Sequence, residues 1–144
     1  MPCHLHVRLL HGARDLAARL RLAPYQIAEA GEPIWARPGK FHDSASLSFE
    51  VSDADFDQLR KQFDDAIRFL SEHEADVRLL AVEGEAMLDF GHEPRNGVAV
   101  QVDTLPRELV RLAAELDMQI MFSLYLFETF ADDDEESALA PPAS

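Results

Sequence analysis

The chain has one cysteine, Cys3, in 144 residues. No internal disulfide can form, so a reducing, cytoplasmic compartment is the expectation. No apolar run approaches the ~18 residues of a membrane span. The start, Met1-Pro2-Cys3-His4, lacks the basic segment and apolar run of a secretion signal. Only six glycines are present, scattered over turns, which excludes a glycine-rich phosphate loop. Gly-x-Ser-x-Gly, Cys-x-x-Cys and His-Glu-x-x-His are missing as well, so no familiar catalytic signature can be assembled. Lysine is scarce, with two against eleven arginines, which reads as a compositional bias and not as function.

Acid is abundant. The net charge is −14, and phosphate backbones repel such a surface, so no nucleic-acid partner is expected. The charge is also uneven: residues 1–40 carry a balance of +3 and residues 41–144 one of −17. A dipolar molecule of this kind can steer toward a basic protein or toward its own copy, although acidity also serves solubility. The length fits a single domain that buries about two-thirds of its unfolded surface and needs no metal to fold. That domain is expected over 1–130. Residues 131–144 hold Asp132 to Glu136 and Pro141-Pro142, and read as a disordered acidic tail.

Periodicity supplies the elements. Residues 3–11 alternate as a half-buried strand, with Leu5, Val7 and Leu9 opposite His4, His6 and Arg8. Residues 13–22 read as a short helix and 24–44 as the longest irregular segment. Residues 45–51 alternate again. Ser52 is expected to cap a long helix over 53–73, whose stripe is Phe56, Leu59, Phe63, Ile67 and Leu70. The runs 77–82 and 86–90 read as a hairpin about Glu83-Gly84-Glu85, and Val98, Val100 and Val102 as a further strand. Thr104 opens a helix to Leu116, with Leu105, Leu109, Leu112 and Leu116 facing inward. Residues 118–128 are apolar on both faces and are assigned to the middle of a covered sheet. The order is β-α-β-α-β-β-β-α-β, an α+β fold whose mixed or mostly antiparallel sheet carries about three helices.

The candidate sites are few. His4 and His6 share a strand face and could place two imidazoles on one ion, but no fixed carboxylate joins them, and the expectation is no metal and no cofactor. Asp53, Asp55 and Asp57 imitate a calcium loop whose sixth position, Gln58, should be glycine. Arg14, Arg19 and Arg21 could grip an anion, or pair with the acidic half of the molecule. The segment Gly31–Asp43 holds Trp35, Arg37, Lys40, Phe41 and His42. Aromatic and arginine side chains are common interface anchors, so Trp35, Arg37 and Phe41 are the chosen binding residues, against the alternative of a lid over the core. Asp57, Asp64 and Asp65 are the acidic residues expected to meet a basic partner.

The layout has a parallel. Leu20-Arg21-Leu22-Ala23-Pro24 precedes the loop with Trp35. Then come a strand, a long helix, short strands, Leu105-Pro106-x-x-Leu109 with Leu112-Ala113, and a Ser123-x-Tyr125 strand. Over most of residues 3–128 this resembles a family of small bacterial domains of uncharacterised function. The resemblance implies a bacterial source and an α+β fold, and carries no catalytic residue. In size and charge alone the chain also resembles bacterial immunity proteins. The expected function is a non-catalytic binding protein of immunity or inhibitor type, holding a basic protein partner. The alternative is a small-molecule- or metal-binding domain, with a pocket under the Gly31–Asp43 loop and room for enzymatic activity. A homo-oligomer is a third expectation; no membrane partner is expected.

Overall fold

A computed structural model describes residues 2–126; the expected acidic tail lies outside them. The elements are β1 (Cys3–Leu9), α1 (Ala13–Ala18), β2 (Gln26–Ala28), β3 (Ala45–Ser52), α2 (Leu59–Glu72), α3 (Glu74–Glu83), β4 (Glu85–His92), α4 (Arg107–Glu115) and β5 (Gln119–Leu124). The fold is α+β, with a five-stranded mixed sheet in the order β2-β3-β1-β4-β5. All pairs are antiparallel except β4–β5. That pair is joined through α4, as a parallel crossover requires.

Alternation sorts the sheet into two faces. On one, Leu5, Val7, Leu47, Phe49, Leu88 and Phe90 are fully or almost fully buried. They form a single core with Leu16 of α1, Phe63 and Leu70 of α2, Val77 and Leu80 of α3, and Leu109 of α4. The four helices therefore share one face of the sheet. Phe63 sits at the centre of an aromatic contact, edge-on to Phe90 with ring centroids 5.0 Å apart. Gly84 lets β4 start close under β1: a Cβ there would stand 2.6 Å from the Arg8 carbonyl oxygen.

Four expectations are corrected. Residues 77–82 are helical, within α3, so the helices number four among the described residues and the hairpin about Gly84 is a helix–strand junction. Val77 and Leu80 are buried while Val82 points into solvent, a spacing of three and not of two. Val98, Val100 and Val102 belong to no strand and are all exposed; no strand among the described residues offers them a ladder. Ser52 ends β3 instead of capping a helix. Its Oγ accepts from the Ala54 amide at 3.1 Å and donates to Asp65 Oδ2 at 2.6 Å, and α2 begins only after Gln58. The aspartates of 53–57 sit in the turn before that helix, where short polar side chains compete with helical bonding. Residues 119–124 form an edge strand. Met121, Phe122 and Leu124, with Tyr125 and Leu126 just beyond, are two-fifths or more exposed. The expected inward leucines of α4 are in place, with Leu109 and Leu116 buried and Leu105 and Leu112 packed against the core.

Candidate functional site

The segment after β2 forms a short hairpin arm. Its strands are stapled by Gly31 N to His42 O at 2.8 Å, His42 N to Glu32 O at 2.9 Å and Ile34 N to Lys40 O at 2.9 Å. The Ile34–Lys40 turn closes through Arg37 N to Ile34 O and Lys40 N to Arg37 O, both 3.0 Å, with Gly39 at φ 75°. A positive φ of that size suits glycine. The root is fixed too. Glu29 accepts from the amides of Gly12 at 3.1 Å and Arg14 at 2.8 Å, satisfying donors where α1 begins. These amide bonds hold the Glu29 carboxyl below the usual carboxylate range. Glu32 is lowered likewise by its hydrogen bond with Arg14.

On this frame Trp35 is 98% exposed. The indole does not enter the core, so the segment is no lid over it. Arg37, Lys40 and Phe41 are exposed beside it. Neither Arg37 nor Lys40 makes a side-chain hydrogen bond or ion pair among the described residues.

An open groove of about 520 Å³ lies at the foot of the arm, lined by Arg8, Leu9, Leu10, Asp43, Ser44, Val82, Glu83, Gly84 and Glu85. Asp43 is the residue through which the Gly31–Asp43 segment joins its wall.

The acidic helix is less free than its composition suggests. Asp65 is only 11% exposed and is held by Ser52 Oγ at 2.6 Å, Lys61 Nζ at 2.9 Å and Arg68 Nη2 at 3.2 Å. Burial pushes its carboxyl up, but these three partners outweigh burial and hold it below its ordinary value. Lys61 also takes Asp53 at 2.8 Å, and Asp64 stands 3.9 Å from Arg60. Asp57 and Asp64 are exposed, and Asp57 borders a second hollow with His92, Arg95 and Asp103. Of the arginines on and beside α1, Arg14 pairs with Glu32 and Arg19 with Glu83.

The face of the sheet turned away from the helices brings together residues that motif reading left apart. The register sets His4 beside Asp89 and Glu50, and His6 beside Ser48 and Met87. His6 Nδ1 lies 3.1 Å from Ser48 Oγ, and Ser123 Oγ donates to Asp89 Oδ1 at 2.7 Å. His4 Nε2 is 3.7 Å from Asp89 Oδ2, beyond hydrogen-bond length. Burial lowers the pKa of His6, with smaller contributions from His4 and Arg8, against an opposing pull from Asp89. A neutral imidazole beside a hydroxyl can accept its proton, but Ser48 is itself almost buried. Asp89, Ser48 and Ser123 were missed by the sequence reading. Asp89 carried a signal, as the one charge inside the apolar run 86–90.

Among the described residues no group of three or more His, Cys, Asp or Glu side chains could hold a metal ion, so His4 and His6 gain no third ligand from these types. No helix among them is long and apolar enough to cross a membrane. Comparison of the chain with protein-family models, curated proteins and solved structures found no match.

Proposed function

We propose that the chain is a non-catalytic bacterial binding protein of the cytoplasm, of immunity or inhibitor type, which holds a protein partner through the tip of the Trp35 hairpin. One observation carries this reading: the single tryptophan stands 98% exposed on an arm whose backbone is already ordered. Exposed indole in water is unfavourable, and tryptophan and arginine dominate interface energetics. An ordered arm spares the partner much of the cost of fixing a loop. Asp57 and Asp64, exposed on an acidic body, steer a basic partner. Asp65 serves the fold, so its part in steering is the smallest of the three.

Parallel affinity capture with the native chain and with Trp35→Ala and Arg37→Ala tests the reading. The native chain should retain a protein that both variants lose. Asp57→Lys with Asp64→Lys should slow its association more than it speeds dissociation, with the gap closing at high salt. Retention indifferent to Trp35 overturns the proposal.

A second reading, a small-molecule- or metal-binding domain with enzymatic capacity, draws on the His6–Ser48 contact and on the groove beside Asp43. A turnover lost in His6→Ala, with the fold retained, would establish it.

A further inference from the structure

The tip of the arm and the groove at its foot are chemically complementary. The tip offers an exposed indole and the Phe41 ring, flanked by the cations Arg37 and Lys40, which have no ion-pair partner among the described residues. The groove offers two aliphatic side chains that solvent should not favour, Leu10 at 85% and Val82 at 83% exposed. Three carboxylates rim it: Asp43, Glu83 and Glu85. Arg8 offsets Glu85, and Arg19 stands 3.5 Å from Glu83. Asp43 makes no ion pair among the described residues.

A tip cannot reach the groove at its own root, because the stapled strands hold the two an arm's length apart. The paired stretch runs from Gly31–His42 to Ile34–Lys40, three residues that at ~3.3 Å each span about 10 Å. A second copy has no such restriction. Its tip can enter this groove while this tip enters its groove, about a two-fold axis, and such a reciprocal exchange closes without growing into a fibre. The charge distribution favours the same pairing: the tip cations belong to the basic part of the sequence and the groove acids to the acidic part.

We infer that the occupant of the groove formed by Leu10, Val82, Asp43, Glu83 and Glu85 is the Trp35 tip of a second copy of this chain, exchanged reciprocally in a dimer. The inference rests on the proposed binding role of the hairpin and names its partner. A heterologous partner would then compete with the second copy for the same indole.

Because Trp35 is the only tryptophan, its fluorescence reports the contact directly. The experiment combines sedimentation velocity and emission spectra of the full chain over a concentration series. The expected result is a monomer–dimer equilibrium in which emission shifts to the blue as the dimer forms. Trp35→Ala, read by sedimentation, and Val82→Arg, read by both methods, should each weaken the dimer about thirtyfold or more, as for an interface anchor. Mixing the two variants should restore a weak heterodimer, since one intact tip then meets one intact groove. Raising salt from 0.1 to 1 M should weaken the native dimer. A chain that stays monomeric with water-like emission overturns the inference. So does a dimer that survives both substitutions, which would point to the exposed edge of β5. A separate protein still captured through Trp35 by a monomeric chain would leave the binding role standing. Loss of that capture as well would remove both.

Discussion

The two faces of the same sheet make opposite arrangements. Toward the helices, Leu5, Val7, Phe49, Leu88 and Phe90 are held by packing alone. Away from them, His6 meets Ser48 and Ser123 meets Asp89 through polar contacts, and Ser48 and Asp89 are nearly as buried. The covered face tolerates no change of volume. The face turned away from the helices tolerates no change of pairing. Apolar packing is additive and non-directional, whereas a desolvated hydroxyl or carboxylate needs its partner at a fixed distance.

The largest effect should come from the covered face. Phe63 is buried against Phe90, and Phe63→Ala should cost about 3–5 kcal/mol in urea denaturation, since the lost ring leaves a cavity. A change within about ±0.5 kcal/mol would place Phe63 at the surface and break the comparison.

Next is Asp89. Asp89→Ala strands the Ser123 hydroxyl, and the expected loss is about 1–3 kcal/mol. Asp89→Ala with Ser123→Ala should recover part of it, because no unpaired partner remains. A loss in the double variant equal to the sum of the two single losses would show that the contact contributes nothing, and the two faces would differ less than the geometry indicates.

A smaller effect should appear in acid. The His6 pKa is lowered in the fold, chiefly by burial and also by His4 and Arg8, while Asp89 opposes. The unfolded chain therefore binds the proton first. The stabilising difference is fully present above the unfolded value of ~6.5 and declines as pH falls toward the folded one. His6→Gln should flatten the fall of stability below about pH 6.5 in urea titrations. An unchanged slope would assign it to other groups.

The smallest effect should come from the rim. Arg8 and Glu85 pair across β1 and β4, but both are well exposed. Replacing either by alanine should change stability by no more than about 1 kcal/mol, and less at high salt, as measured by thermal melting. A larger loss would extend the exacting polar character of the central strands out to the margin.

The sequence made the central strands legible and the margins less so. Residues 3–9 and 45–52 alternate because one face meets helices and the other does not, and that contrast is written in every second residue. Val77 to Val82 reads equally well as strand or helix over so short a span, and only its place after α2 decides. Val98, Val100 and Val102 alternate with no strand among the described residues to pair against. Strand β5 is apolar on both faces and still lies at the edge, since hydropathy says how much a residue avoids water and not which neighbour removes it. The exposure of Trp35 was likewise beyond sequence: an indole in a loop suits a core lid and a projecting tip equally. The polar set on the face turned away from the helices depends on register, which joins positions 34 to 42 residues apart and leaves no local pattern.

Cys3 lies at the start of the central strand, fully buried, with its thiol pKa pushed up by that burial and, to a smaller degree, by Asp89 and Asp65. Alkylating reagents attack the thiolate, so they find nothing to react with while the sheet is closed. β1 is hydrogen-bonded on both sides, so Cys3 becomes reactive when this end of the strand separates from its neighbours. The lone sulfur is thus a built-in clock. Its rate of labelling in native buffer would count the separation of the start of β1 from β3 and β4, and cysteines introduced elsewhere could carry dyes or cross-linkers with little competition from it.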